Sequence, residues 1–227
     1  AMQDLISKAY PANSDADTRQ NAKGGKNKKK KNKKNGGGGN GKKGGGGVDP
    51  NLPPFCRVDL RVGRIVKVWE PENSDKLFCE LIDLGEDQPR QIVSGLRHYM
   101  KAEDLQDRLV VVVANLKAAK LAGHPSHGMV LCAKSGDTVE FVEPPASAKP
   151  GDTLRVGSLP APTPDQKPIK IYNGSKTEKW DPWSRVIGDL QTNDDCVATY
   201  KGEPLLCGAG DDAKPCTVKS VTGAPLS

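Results

Sequence analysis

The sequence predicts a mainly β protein: an OB-fold five-stranded barrel with a small α+β C-terminal extension packed on it. Three observations lead to this prediction. Residues 55–159 contain short alternating or apolar segments separated by turn-rich loops, a pattern typical of small barrels. A short helix or turn at 100–108 crosses between two of these strands. Beyond a proline-rich boundary at 160–168, the remaining residues form too thin a core to be stable alone, so we expect them to pack against the barrel.

The first predicted strand, 57–68, alternates apolar and charged side chains. This period of two indicates a half-buried strand with one basic face. Gly63, near its middle, predicts a bulge or a strongly coiled strand, as closing a small barrel requires. Further strands are predicted at 77–84, 90–93, 109–116 and 129–133, with shorter ones at 139–142 and 153–156.

In the extension, Asp181 and Pro182 predict an N-cap and a first helical residue. Apolar side chains then recur at helical spacing, at positions 183, 186, 187 and 190, and predict one apolar stripe. We expect Trp183 to serve as core or docking surface, not as a platform for base stacking. The segments 196–200 and 205–207 predict a β-hairpin.

The positive charge of the chain lies almost wholly in its first part. Residues 1–47 carry 12 Lys/Arg and 3 Asp/Glu, whereas residues 48–227 carry 22 and 25. We expect 1–47 to be a disordered lysine- and glycine-rich linker, 48–159 the barrel domain and 160–227 the extension. Polylysine binds nucleic acid by counterion release, although a solubilising linker or a nuclear-import signal would look the same. The RNA-binding candidates in this segment are Lys28, Lys29, Lys30, Lys31, Lys33 and Lys34.

Several functional classes find no support in the sequence. The six cysteines show no Cys-x-x-Cys spacing and no zinc-ligand spacing to histidine, so we expect no metal and no cofactor. Three scattered histidines and no nucleophile–base pair make an enzyme the least favoured class.

Neither a signal peptide nor a membrane-length apolar run is visible, and the cysteine usage favours a reducing, cytoplasmic compartment. Because the first residue is Ala, we expect a fragment of a longer protein.

The loop between the apolar runs 109–114 and 129–133 carries an amide, two lysines three residues apart and two glycines. Such donors on a loop between strands suit contact with phosphate and sugar. A solvated loop with ordinary turn residues explains the same spacing equally well.

Five segments in order resemble the EMAP-type (endothelial monocyte-activating polypeptide) tRNA-binding domain. This domain is appended to methionyl- and tyrosyl-tRNA synthetases or occurs in synthetase-associated cofactors. The resemblance covers Phe55 to the C-terminus. Its motifs are DLRVGRIV at 59–66, SDKLFCE at 74–80, VSGL at 93–96, the loop with NLK at 115–117 and GM at 128–129, and TNDDCVATYKG at 192–202.

The resemblance implies an OB barrel that binds tRNA by shape and catalyses nothing. It also implies that the extension imitates the second subunit of dimeric relatives, so we expect a monomer. The expected partners are tRNA and an aminoacyl-tRNA synthetase, in cis or in trans, and no membrane. The sequence departs from the family pattern at Glu70, at Ala118 and at His124-Pro125.

The candidate RNA contacts fall into three groups. Arg61, Arg64 and Lys67 would contact phosphates from the first strand, unless they are only a solvated strand face. Lys117 and Lys120 would contact the backbone beside Asn115 and Ser126, whose polar groups would reach a 2′-hydroxyl or base edge or would only cap the loop. Lys76 and Arg97 are weaker candidates, and Met129 is expected to pack the barrel mouth more than touch RNA. Few aromatic residues in the barrel favour structured RNA over stacked single strands.

The sequence leaves two alternatives to tRNA binding, a cytokine-like signalling fragment and an assembly module. The segment 61–67 resembles a heptapeptide implicated in cytokine-like fragments of the family, although it reads as a half-buried strand. In the second alternative, the chain is an assembly module that holds synthetases together through the surface around Trp183.

Overall fold

The computed structural model describes residues 51–169, 181–208 and 210–227. The predicted linker at 1–47, including its six candidate lysines, lies outside the described residues. The barrel part contains α1 (Pro54–Arg57), β1 (Leu60–Trp69), β2 (Phe78–Asp83), β3 (Arg90–Ser94), α2 (Ala102–Leu105), β4 (Leu109–Val113), β5 (Ala119–Leu121), β6 (His124–Ser126), β7 (Met129–Val130), β8 (Cys132–Ser135), β9 (Thr138–Phe141) and β10 (Leu154–Val156). The extension contains α3 (Pro182–Val186), a 3-10 turn (Ile187–Asp189), β11 (Leu190–Thr192), β12 (Ala198–Tyr200), β13 (Glu203–Cys207), a second 3-10 turn (Gly210–Asp212) and β14 (Lys214–Pro215).

The predicted mainly β, OB-type fold is confirmed. Five strands form an antiparallel sheet in the order β3-β2-β1-β4-β7. The sheet curls until the segment before β7 meets β3. There the His127 N–H donates to the Gln91 carbonyl at 2.9 Å, and the Val93 N–H donates to the Ser126 hydroxyl at 3.0 Å. None of the helices in the described ranges is long and apolar enough to span a membrane.

The strand β4 is buried on both faces, which explains its unbroken apolar run. Val110 and Val112 point into the barrel core, together with Ile65 of β1. Val111 and Val113 point the opposite way, into a second core between the barrel and the extension. A strand that is covered on both faces needs apolar residues at every position, and 109–114 supplies them.

The extension packs on the barrel, as the sequence predicts, and its helix begins where expected. The Asp181 carboxylate accepts a hydrogen bond from the Trp183 N–H at 2.9 Å, and Pro182 is the first helical residue. The helix ends earlier than the apolar spacing predicts, because Leu190 already belongs to β11. Trp183 is only 2% exposed and belongs to the second core. The strands of the extension form a sheet with β10 of the barrel part, in the order β10-β13-β12-β11, with β14 paired to β13.

Two sequence expectations are wrong in detail, the bulge at Gly63 and the single strand at 129–133. The register shift lies between Ile65 and Lys67, not at Gly63. A Cβ on Gly63 would lie 2.5 Å from Ile82 Cγ2, so glycine is needed there for close approach of β1 to β2. Because of the shift, Ile65 is fully buried in the barrel whereas Val66 is only half-buried. The predicted fifth strand at 129–133 is divided into β7 and the start of β8.

Candidate nucleic-acid interface

The loops that OB folds use for nucleic-acid binding are joined here by a single side chain. The β1–β2 loop spans 70–77, and the β4–β7 segment spans 114–128 and includes the β5–β6 hairpin. Asn73 Nδ2 donates to the Ala122 carbonyl at 2.7 Å, and Asn73 Oδ1 lies 2.9 Å from His124 Nε2. These two loops therefore form one edge of the barrel, which we call the rim. Asn73 was not singled out by the sequence, since its partners lie about fifty positions away.

Three candidate lysines of the rim are exposed. Lys76 lies in the β1–β2 loop, and Lys117 and Lys120 lie in the β4–β7 segment. Within the described residues, none of the three makes an ion pair. The backbone at Lys117 is held by its N–H, which donates to the Ile169 carbonyl at 2.6 Å. These ammonium groups are the cations of the rim that are open to an anionic ligand.

Arg97 braces the rim from the loop after β3. Its guanidinium donates to the Ser74 carbonyl at 2.6 Å and forms an ion pair with Glu70. Both partners belong to or adjoin the β1–β2 loop. The structure thus places Arg97 beside Lys76 but shows it already paired.

Asn115 and Ser126 use their polar atoms inside the protein. Asn115 Oδ1 accepts from the Asp59 N–H at 3.0 Å, and its Nδ2 donates to the Arg57 carbonyl at 3.0 Å. The buried Ser126 hydroxyl accepts from Val93 and donates to the Gly128 carbonyl at 3.0 Å. Both residues fix the ends of the β4–β7 segment, which is the capping role that the sequence left open.

One cation of the expected basic face of β1, Arg61, is neutralised by carboxylates. Arg61 forms ion pairs with Asp59 and, at 2.9 Å, with Glu86. Glu86 also binds Arg90, and this hydrogen bond, opposed by burial and assisted by Arg61, holds the pKa of Glu86 below its usual value. Arg90 is a further residue that the sequence reading missed.

The other two cations of β1 lie apart from the ion pairs that Glu86 makes with Arg61 and Arg90. Arg64 donates to the Asp107 carbonyl at 3.0 Å. Lys67 is exposed, with its ammonium 5.6 Å from the centre of the Trp69 ring. Both lie towards the loop that precedes β4, since the Gln106 side chain donates to the Val66 carbonyl at 3.1 Å.

Met129 is half-buried and lines a cavity of about 300 Å³ at the barrel mouth. Tyr99 stands at the edge of this cavity and is 39% exposed. The Lys134 ammonium donates to the Tyr99 hydroxyl at 2.9 Å, which raises the pKa of Lys134. Nothing in the sequence pattern singled out Tyr99 or Lys134, because each lies in a segment without a recognisable motif.

Within 51–169, 181–208 and 210–227, no cluster of histidine, cysteine or carboxylate side chains could hold a metal ion. All six cysteines are free thiols, and five of them are buried. Burial, and then the nearby Glu80 charge, raises the pKa of Cys132 to about 12, so this thiol is a core residue and not a nucleophile.

A family model described as a putative tRNA binding domain matches residues 60–153. The chain is 41% identical over 149 residues to aminoacyl tRNA synthase complex-interacting multifunctional protein 1 of Cricetulus griseus, covering 66% of this chain and 39% of that protein. It is 39% identical over 165 residues to the cytoplasmic methionine–tRNA ligase of Caenorhabditis elegans, covering 73% of this chain and 17% of that protein. The chain therefore spans less than half the length of these curated relatives.

Among solved structures, the C-terminal domain of Plasmodium vivax p43 matches with a TM-score of 0.66 and 30% sequence identity. The match covers 76% of this chain and 98% of that domain. This structural match is thus longer than the 60–153 stretch that the family model matches, and it spans nearly all of the solved domain.

Proposed function

The chain belongs to the EMAP-type family of tRNA-binding domains, and from this premise we propose that its folded part binds tRNA without catalysing a reaction. The single observation that carries the proposal is the rim. Asn73 joins two loops that present Lys76, Lys117 and Lys120 free of ion pairs within the described residues. A rim of this kind contacts the phosphate backbone and reads the shape of an RNA more than its sequence.

The remaining candidates divide by role within this proposal. Lys67, Arg64 and Met129, which lie outside the rim, would add secondary contacts. Arg61 and Arg97 shape the loops through their carboxylate partners, and Asn115 and Ser126 hold the β4–β7 segment in place. The lysines at 28–34 add affinity that does not depend on sequence, because each phosphate that they neutralise releases counterions.

We further propose that the chain works beside an aminoacyl-tRNA synthetase in the cytoplasm, in cis or in trans. Support comes from the relatives, one of which is named as a synthase complex-interacting protein and another as a cytoplasmic tRNA ligase. A monomeric state is supported by the second core, because the extension already covers the outer face of β1 and β4. The division into a linker at 1–47, a barrel at 48–159 and an extension at 160–227 belongs to the same proposal.

The two alternatives receive less support from the geometry. Trp183 lies in the second core at 2% exposure, so it offers no side chain to an assembling partner. The segment 61–67 lies within β1, where Val62 and Ile65 are fully buried and Arg61 is paired. A receptor would reach the side chains of Val62 and Ile65 only after β1 had left the sheet.

The test is a titration of the full chain, and of the chain without residues 1–47, with folded tRNA and with single-stranded RNA of equal length. Two salt concentrations separate the contributions, because binding by the lysine-rich segment weakens steeply with salt. We expect the shortened chain to prefer folded tRNA at both salt concentrations. Equal binding of both RNAs, or loss of binding with residues 1–47, would refute recognition by the folded part.

A further inference from the structure

We propose that the cavity beside Tyr99 at the barrel mouth holds one unpaired nucleobase of the bound RNA. This inference rests on the proposed function, since it adds a base-binding subsite to a surface that otherwise contacts phosphate and sugar. Its occupant is a single base that projects from the RNA with its face towards Tyr99.

Tyr99 supplies a stacking surface. Among the described residues, it is the one large hydrophobic side chain that is exposed to solvent. The other aromatic rings of the barrel are buried or half-buried, with Phe78 and Phe141 at 1% and 2% exposure. Stacking of a base on an exposed aromatic ring is favourable for every base, and one ring suits one base, not a continuous single strand.

The cavity has the size and lining of a base pocket. Its volume of about 300 Å³ lies at the lower end of small-ligand pockets. Its apolar wall includes Leu96, Met129 and Val139. At Gly95 an added Cβ would meet no atom within 4 Å, so the wall is open there.

One wall of the cavity offers a hydrogen-bond acceptor. Ser94 lines the cavity and donates its hydroxyl proton to Glu80 Oε1 at 2.5 Å, which leaves the lone pairs of the serine oxygen for another donor. Glu80 is fully buried, and its second oxygen has no hydrogen-bond partner among the described residues. A polar pair at the edge of an apolar pocket fixes the orientation of a ligand, and here it favours a base edge that carries N–H groups.

Lys134 places a cation where a phosphate would follow the base. Its ammonium lies 5.0 Å from the centre of the Tyr99 ring, and its side chain lines the same cavity. Within the described part of the chain, Lys134 is the one charged side chain that lines this cavity, which Ser227 also lines. A neighbouring cavity, which shares Tyr99 with it, is lined by three carboxylates and by the cations Arg108 and Lys219, so its cations already have anionic neighbours.

Two residues that line the cavity are sequence neighbours of the rim or of its brace. Met129 lies in β7, directly after the β4–β7 segment, and Leu96 precedes the rim-bracing Arg97. An RNA backbone that passes the rim lysines would bring a neighbouring unpaired base to Tyr99.

The experiment uses the full chain, with adenosine 5′-monophosphate and ribose 5-phosphate as probes and amide chemical shifts as the readout. We expect the nucleotide to shift the signals of Gly95, Leu96 and Tyr99 and ribose 5-phosphate to leave them in place. Tyr99→Ala should abolish these shifts and weaken tRNA binding about five-fold or more, whereas Tyr99→Phe, which keeps the ring, should bind within two-fold of the parent. Lys214→Ala, on an exposed strand of the extension, is the matched surface control and should also stay within two-fold.

The outcomes separate the subsite from the proposed function. If the parent chain binds tRNA and Tyr99→Ala binds it as tightly, the subsite is refuted while the function stands. If both probes shift the same signals equally, the cavity recognises phosphate and not a base, which also refutes the proposal. If Tyr99→Ala instead loses only the co-purification of a synthetase, the surface belongs to a protein partner. Ser94→Ala, which keeps the ring, is a second variant in case Tyr99→Ala fails to fold, and it should reduce nucleotide binding.

Discussion

Asn73 contacts the tip of the β5–β6 hairpin twice, through Nδ2 to the Ala122 carbonyl at 2.7 Å and through Oδ1 to His124 Nε2 at 2.9 Å. The hairpin is also anchored to β3, because Gln91 Nε2 donates to the Pro125 carbonyl at 2.9 Å and the Val93 N–H donates to the Ser126 hydroxyl at 3.0 Å. Asn73 adds the link between the tip of the hairpin and the β1–β2 loop. This arrangement makes Asn73 a positioning residue whose loss should affect binding more than stability.

Asn73→Ala should weaken tRNA binding about five-fold and change the free energy of unfolding by less than about 1 kcal/mol. The reason is that exposed hydrogen bonds contribute little to stability, whereas the two loops must be held together to present Lys76 and Lys120 to one ligand. His124→Ala removes only one of the two contacts and should show a smaller loss of affinity. Fluorescence titration and urea unfolding of both variants measure these quantities. Equal affinity of Asn73→Ala and the parent would show that the rim does not depend on this bridge.

Glu80 should make stability depend on pH. Burial, opposed by the hydrogen bond from Ser94, raises the pKa of Glu80 from 4.5 to about 7 in the folded state. Between these values the folded state binds more protons than the unfolded state, so the free energy of unfolding should fall as pH rises from about 4.5 to about 7 and then level off. The fall should amount to about 3 kcal/mol, since one pKa unit corresponds to about 1.4 kcal/mol.

The control for this prediction is Glu80→Gln, which cannot ionise. Urea unfolding of the variant should lack this fall, so that its stability exceeds that of the parent most clearly above pH 7. If the parent and Glu80→Gln show parallel curves from pH 4.5 to 8, Glu80 does not titrate in this range.

The sequence predicted the elements that depend on neighbouring residues. The apolar run before Asn115 and the Asp181-Pro182 start of α3 are local signals, and both appear in the structure as a buried strand and a capped helix. The basic face of β1 could not be judged in the same way. Arg61 is neutralised in part by Glu86, which is 25 positions away and reaches it only once β1 and β2 have paired.

The same limit applies to the rim and to Gly63. The exposure of Lys117 and Lys120 fits both the RNA-contact and the solvated-loop interpretation of the sequence. The hydroxyl of Ser126 is occupied by Val93, 33 positions away. Gly63 looked like a bulge because glycine in a strand usually has a conformational reason. Here the reason is the approach of Ile82 in β2 and of Leu84 directly after β2, which no local pattern contains.

Gly63→Ala should destabilise the barrel by about 1–3 kcal/mol. The added Cβ would lie 2.5 Å from Ile82 Cγ2 and 2.8 Å from Leu84 Cδ2, and both side chains are fully buried. Overpacking of a closed core typically costs this amount. Gly157→Ala is the control, since a Cβ there meets nothing within 4 Å and its stability should change by less than about 0.5 kcal/mol. Thermal and urea unfolding measure both, and equal midpoints for the two variants would contradict the packing argument.

The rim lysines should be visible in the salt dependence of tRNA binding. A lysine that neutralises one phosphate contributes about one unit to the slope of log K against log salt concentration. Lys76→Ala and Lys120→Ala should therefore each lower the slope by up to about one unit and weaken binding to all tRNAs alike, because backbone contacts carry no sequence information.

These variants are best measured in the chain without residues 1–47, since the lysine-rich segment would otherwise dominate the slope. Lys201→Ala is the matched control, because Lys201 is exposed in the extension and its ammonium lies 3.7 Å from Asp189. If all three variants lower the slope equally, phosphate contact is spread over the surface and the rim has no special role.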